Sequence, residues 1–417
     1  AVEALLAPLA SAAEFVTDAY ATTLLQPIGE KMLQTLGSLT DKELKVERYD
    51  LLRDSLEHVC AILARCLSFE TATKRVDELR LKIALRMLKI SMFNLQLGAV
   101  KEVNRLIRLA EAPKQPGAPN RTWLCPELMQ RWLVDNGVLE TVLQSHLHQK
   151  QYVEQVGKLL RFLLQWHCVT ESDLDLLWSC TIGKHEAIVS NIMDMLANLA
   201  WNFDAEQLDS LLRRVQRTDH RSPKDVQRVV QLVTKLALGD THGVLASRLL
   251  ELLWSLVHSP ACSPATASSL ITAFPEMLDR YDSRGKASKE EYSGKCVTSI
   301  LQASQHPSAA ASTAGLTSLR LLQRILGSYM LGSRMSPGSQ ELTRSGAIEG
   351  LESSMQLLSV IVGSLLSYVH AAATGHAEAD HERVASHEDH VSERLQLLEY
   401  ILNQSCLQLM SEEVSRL

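Results

Sequence analysis

A chain of 417 residues that is 46% apolar, 22% charged and only 5% aromatic has room for two or three compact domains or one elongated repeat array. Its net charge of −6 argues against an electrostatic nucleic-acid binder, which carries a basic stripe. No apolar run reaches the roughly 20 residues needed to span a bilayer.

The eight cysteines, Cys60, Cys66, Cys125, Cys168, Cys180, Cys262, Cys296 and Cys406, are scattered and form no C-x-x-C. That usage predicts reduced thiols, mostly buried, in a cytoplasmic or nuclear protein. Asn120-Arg121-Thr122 and Asn403-Gln404-Ser405 match the glycosylation tripeptide, but no secretory signal accompanies them. A chain that starts at Ala1 rather than Met reads as a piece of a longer protein.

Leu dominates and aromatics are sparse, a balance that favours helices, since Leu, Ala, Glu, Gln, Lys and Arg all lose little on entering one. From Lys74 to Ala110 apolar residues recur at three- and four-residue steps, as in Leu81, Leu85, Leu88, Met92 and Leu95. "EAPKQPGAPN", Glu111 to Asn120, stops that pattern with prolines and a glycine and reads as a surface loop. Beyond it, "LLRFLLQWHCVTESDLDLLW" from Leu159 reads as helix, link, helix, and "MLANLAWNFDAEQLDSLL" from Met195 repeats the plan. "LLWSLVHSPACSPATASSL" from Leu252 is a third copy. The links carry helix-start chemistry: Thr170 with Asp173 and Asp204 with Gln207 form capping boxes. Ser222-Pro223 and Ser263-Pro264 set a capping Ser before a first-turn Pro.

"DSRGKASKEEYSGK", Asp282 to Lys295, reads as a second hydrophilic break. The "QHPSAAASTAG" and "LGSRMSPGSQ" stretches read as small-residue loops, and "HAEADHERVASHEDH" as a charged one. "LLSVIVGSLLSYV" from Leu357 is interrupted by Ser359, Ser364 and Ser367 and reads as a buried helix. Helix pairs that return at roughly 35 to 45 residues predict an all-α, armadillo- or HEAT-like helical-repeat solenoid with irregular loops. Three segments follow: an N-terminal helical one at 1–110, a central repeat region at 121–282 and a C-terminal one at 296–417.

Candidate chemistry is sparse. In "GKHEAIVSNI" from Gly183, the residue four after His185 is Val189, so no second zinc ligand follows as H-E-x-x-H requires. A phosphate loop would need a Gly where Trp178 stands and a Ser or Thr where His185 stands. The stretch reads as a helix start, with His185 a packing or edge histidine one turn before Ile188 on the face of Ile188, Ile192, Met195 and Leu199, and with Glu186 in the first turn. His376, His381, His387 and His390 alternate with acids, and His387 and His390 share a helical face, yet the spacing fits no structural zinc pattern. A solvated loop is the stronger reading. Cys168 beside His167 reads as a core thiol, because adjacent side chains do not easily turn onto one another. The tryptophans Trp123, Trp132, Trp166, Trp178, Trp201 and Trp254 mostly end apolar runs and read as packing residues, with one or two left as candidate partner anchors. No catalytic, cofactor-binding or metal-binding residue is assigned.

"GKHEAIVSNIMDMLANLAWNFDAEQLDSLL", "AVKEVNRLI" at Ala99, "HLHQKQYVEQVGKLLRFLL" at His146, "GVLASRLLELLWSLVHS" at Gly243 and "HVSERLQLLEYIL" at His390 resemble, in order, the fat-facets-type giant ubiquitin-specific proteases. The resemblance runs from about Leu79 to the end, is dense from Trp132 to Ser259 and thin between Ser283 and Ser345. It implies the N-terminal armadillo-like region of a deubiquitinase whose papain-like domain lies elsewhere in the full chain. That family's nucleophile box, roughly Asn-x-Gly-x-Thr-Cys, has no counterpart here; Gly294-Lys295-Cys296 lacks the Thr and the Asn. The implied role is a non-catalytic scaffold that binds protein substrates or regulators, some of them ubiquitinated. A stand-alone helical adaptor or transport scaffold is the alternative.

Overall fold

The computed structural model describes residues 2–46, 49–113, 123–217, 223–259, 262, 264–283, 285, 287–305, 309–329, 343–373 and 387–409. Among these residues every regular element is a helix. The chain divides into two compact units, Ala1–Leu211 and Leu212–Leu417.

In the first unit, helices Tyr49–Cys66, Phe69–Lys89 and Phe93–Glu111 follow one another through short links and pack in sequence. Lys150–Gln165 then packs on both Phe93–Glu111 and Glu186–Leu199. A helix clasped from two sides must be apolar over much of its girth, and Val153, Val156, Leu159, Leu160, Phe162 and Leu163 are all buried. At its end His167 takes a left-handed conformation at φ 52°. The Cys168 N–H donates to Leu163 O and the His167 N–H to Leu164 O, a Schellman close with His in the usual Gly position. Thr170 and Asp173 then form the expected capping box, and Asp204 exchanges hydrogen bonds with Gln207 in the same way. Ser222 and Ser263 lie outside the described residues.

Near the N-terminus a π-helical turn, Ala21–Leu25, runs directly into Gln26–Gly37. Pro27 explains it: a proline ring clashes with the carbonyl four residues back in a regular α-helix, and the wider turn relieves that crowding.

The polar core of this unit centres on Glu102. Arg80, 3% exposed, donates to Glu102 Oε1 at 3.0 Å, and Arg105 donates to both carboxylate oxygens at 2.6 and 3.1 Å. The Tyr49 hydroxyl donates to Oε2 at 2.5 Å. Its ring lies across Gly98, one turn before Glu102, where an added Cβ would sit 2.8 Å from Tyr49 Cγ. Burial raises the Glu102 carboxyl toward the neutral form, against the pull of Arg80 and Tyr49.

In the second unit, Asp240 is fully buried and accepts from the backbone N–H groups of Val244 and Leu245 and from the Tyr281 hydroxyl. It shapes the turn between Pro223–Gly239 and Ala246–Val257. The break read from Asp282 to Lys295 is shorter than its composition suggests. Helix Lys289–Gln305 begins inside it, with Ser288 accepting from the Glu291 N–H and Tyr292, Ser293 and Cys296 buried. The small-residue stretch after Gln305 is likewise largely helical, as part of Ala309–Ser328. Its small residues serve close packing: a Cβ on Gly315 would lie 2.9 Å from Ala303 Cβ on the preceding helix. "LGSRMSPGSQ" falls outside the described residues.

Leu357–Ala373 is a buried helix as expected, entered through Gln356 at φ 53°. Ser364 accepts from Arg394, and Ser367 donates to the Ser304 carbonyl, so these interrupting serines are bonded within the protein. Among the described residues no single helix is long and apolar enough to cross a membrane; Arg344–Met355 and Leu357–Ala373 qualify only as a pair, bent by 71°.

The last helix, His387–Gln404, brings His390 and Arg394 into the core at 4% and 3% exposure. The His390 ring stacks on Tyr368 at 4.6 Å, and Arg394 lies over the same tyrosine and donates to the His390 carbonyl at 2.7 Å. Burial, aided by Arg394 and Arg320 and opposed by Asp389, holds the His390 imidazole down at about 4.

Two outcomes are expected. Glu102→Gln leaves buried Arg80 with only Asp77, 3.9 Å away, as counter-charge and should destabilise the first unit by about 3 kcal/mol, whereas a change at the more exposed Arg105 to Ala should cost about 1 kcal/mol or less; denaturant unfolding of both variants checks the contrast. For His390, the folded value lies below the ordinary 6.5. The unfolded chain therefore takes up a proton between pH 6.5 and 4 that the folded unit refuses. Stability from this residue is intact above pH 6.5 and lost as pH falls toward 4, by about 3 kcal/mol in all. His390→Phe keeps the stack on Tyr368 and should show a flatter acid limb than wild type; identical limbs would contradict the assignment.

Candidate functional site

The conspicuous Gly183-Lys184-His185-Glu186 stretch is a helix start. Gly183 turns the chain at φ 65°, and His185 follows with extended backbone as the cap of Glu186–Leu199. Its Nδ1 accepts the Ala187 N–H at 3.2 Å, which places the ring proton on Nε2. Lys184, His185 and Glu186 are all exposed. The spacing left His185 as a packing or an edge residue on the face of Ile188, and the structure puts it at the exposed edge. The extended backbone of a cap turns the ring back over the first-turn N–H groups rather than into the core.

His376 and His381 lie outside the described residues. His387 and His390 belong to a helix, so the solvated-loop reading fails for these two. His387 Nδ1 lies 3.2 Å from the Tyr368 hydroxyl, while His390 is held between Tyr368 and Arg394. A guanidinium beside that imidazole opposes a cation there. Among the described residues no three His, Cys, Asp or Glu side chains are grouped to hold a metal.

Burial raises the thiols of Cys66, Cys168, Cys180 and Cys296, and that of Cys262 to about 11. Such thiols are the reverse of an activated nucleophile. Cys168 is half-buried rather than fully in the core, its Sγ 3.1 Å from the Trp166 carbonyl. Trp254 packs edge to face with Phe274 and lies 4.1 Å from the His258 ring. Trp201, 44% exposed, is the tryptophan that faces solvent most.

What the surface offers instead is open grooves. One, of about 740 Å³, runs between Gln26–Gly37 and Phe69–Lys89. Pro27, Lys31 and Gln34 line one wall and Arg75, Glu78, Leu79 and Lys82 the other, each set one turn apart along its helix. Glu30 pairs with Arg75 at 2.9 Å, and that hydrogen bond lowers the Glu30 carboxyl. A second groove of about 500 Å³ follows one face of His387–Gln404, where Val391 and Leu395 stand between Glu388 and Glu399. Leu395 is 46% exposed. Both walls follow helical spacing, which the sequence displays, but a single sequence does not tell an outward apolar position from an inward one. Neither groove gathers a nucleophile with a base; both present mixed apolar and charged rows of the kind that receive a peptide or helix.

A family model described as the UBP24/USP9X/USP9Y ARM repeat matches residues 74–417, running through the 283–345 stretch where the resemblance was thin. The probable ubiquitin carboxyl-terminal hydrolase FAF of Drosophila melanogaster is 30% identical over 440 residues, covering 100% of this chain and 16% of that protein. Ubiquitin carboxyl-terminal hydrolase 9X of Mus musculus is 35% identical over 286 residues, covering 67% of this chain and 11% of its own length. For the 9Y enzyme of Homo sapiens the values are 29% over 434 residues, 100% and 17%. The chain thus spans no more than 17% of these relatives. With helices throughout its described residues and a repeat match over most of its length, the chain belongs to the UBP24/USP9X/USP9Y family of armadillo-repeat regions.

Proposed function

We propose that this chain is a non-catalytic recognition region of a large deubiquitinase. It holds protein substrates or regulators, some of them ubiquitinated, for a cysteine-protease domain outside these residues. The family match over residues 74–417 carries this reading. The open helix-lined grooves support it, since stacked helices present broad semi-rigid surfaces better suited to proteins than to small molecules. Its free thiols, largely raised by burial, suit a reducing compartment, cytoplasmic or nuclear.

Two measurements test the proposal. The isolated chain, incubated with a ubiquitin–fluorophore conjugate, should give no thiol-dependent turnover. In a full-length protein carrying this region, its deletion should lower kcat/KM toward a folded ubiquitinated protein by about 10-fold or more, the scale of a few lost contacts at 1.4 kcal/mol per decade, and leave ubiquitin–fluorophore hydrolysis unchanged. Equal loss on both substrates would sink the recognition role.

A further inference from the structure

The connection between helices Val138–Leu143 and Lys150–Gln165 reads Ser145-His146-Leu147-His148. It is held from three directions. Ser145 Oγ donates to Gln96 Oε1 at 2.6 Å, Asn191 Nδ2 donates to the Leu147 carbonyl at 2.9 Å, and the Gln149 N–H closes a turn onto the His146 carbonyl at 2.9 Å. Leu147 is buried, so the two histidines flank an inward anchor. His146 sits at φ 59°, a left-handed conformation rare for a residue with a side chain.

The surroundings of His146 are unusual for a packing residue. Its ring stands edge-on to Phe93 at 5.4 Å and to Tyr152 at 5.9 Å, with the His148 ring 6.1 Å away. His146 Nε2 and the Tyr152 hydroxyl are both buried with no hydrogen-bond partner, and Tyr152 is 0% exposed. Orphaned buried polar atoms are costly, and two on neighbouring rings point to a missing polar ligand. His148, by contrast, is exposed.

We propose that His146 and His148 form a two-imidazole site for a divalent transition metal ion of the zinc type. An ion about 2.0–2.1 Å from one nitrogen of each ring sets the ring centres about 5–6 Å apart, close to the spacing seen. A small rotation of the exposed His148 closes the difference. Neutral imidazole suits zinc, copper and nickel, whereas magnesium and calcium prefer oxygen donors. Water fills the remaining positions, and a metal-bound water gives the Tyr152 hydroxyl the partner it lacks. Bound there, the ion locks a connection that already touches Phe93–Glu111 through Gln96 and Glu186–Leu199 through Asn191.

Zn²⁺ titrated into the chelator-treated full chain, followed by calorimetry and by NMR of ¹⁵N-labelled histidine rings, tests the site. The first equivalent should shift the His146 and His148 signals before other histidines. His148→Ala, on the surface, should weaken that binding by more than about 10-fold, the least effect expected when even a supporting group of a metal site is lost. His146→Asn, which tolerates the left-handed backbone, should do the same. If the first equivalent perturbs other histidines, or His148→Ala binds Zn²⁺ as tightly as wild type, the site does not exist.

Discussion

A helix with one apolar stripe is not stable in water by itself, and the arrangement of this chain answers that constraint. Lys150–Gln165 hides its leucines only because Phe93–Glu111 lies on one side and Glu186–Leu199 on another. Each neighbour in turn has a further face to cover. Stability is therefore shared between adjacent helices and does not belong to any one of them. The same logic explains where glycine is required: Gly98 makes room for Tyr49 and Gly315 lets two helices approach closely.

Burying so many helix faces carries polar groups inward, and the chain settles them locally. Asp240 organises a turn by accepting two backbone N–H groups, and Glu102 gathers Tyr49, Arg80 and Arg105. These groups resemble catalytic clusters in composition, since they are buried and titratable, and burial raises the Glu102 carboxyl and the Tyr49 hydroxyl. Their geometry says otherwise. Every oxygen of Glu102 is already committed to a donor inside the protein, so no reacting atom has a place beside it. A perturbed carboxyl in a closed ion-pair network is a structural group, whereas a catalytic one faces a cleft.

Much of the fold was legible in the sequence because helix signals are local. Apolar steps of three and four, the Thr170–Asp173 box and the Asp204–Gln207 exchange depend on neighbours a turn apart, and all appear where the spacing put them. The readings that failed depended on what lies across the fold. Composition made Lys289 to Lys295 and the Ala-rich stretch after Gln305 look like loops. It does not reveal that Tyr292 and Cys296 find a core, or that Gly315 packs against Ala303. His390 likewise sits in a hydrophilic string, and only Tyr368 and Ser364, from a helix 20 or more residues earlier in the chain, explain its burial with Arg394. His185 was legible as a packing or edge residue at a helix start but not as the cap itself: histidine is not among the usual capping residues, so that role was visible only once its Nδ1 met the Ala187 N–H.

The candidate surface was the least legible part, and the reason is physical. A groove wall such as Val391 and Leu395 uses the same four-residue step as a core stripe, and only the absence of a covering helix among the described residues distinguishes them. Leu395 is 46% exposed while Leu397, two positions on, is 1% exposed. The two lie on different faces of one helix, and both satisfy an apolar pattern. Exposed apolar side chains between rows of charge lose solvent-accessible area when a complementary chain lies over them, which gives binding energy without a reactive group. Stacking that consumes polar groups internally and leaves such rows outside is the physical basis of the recognition role we propose.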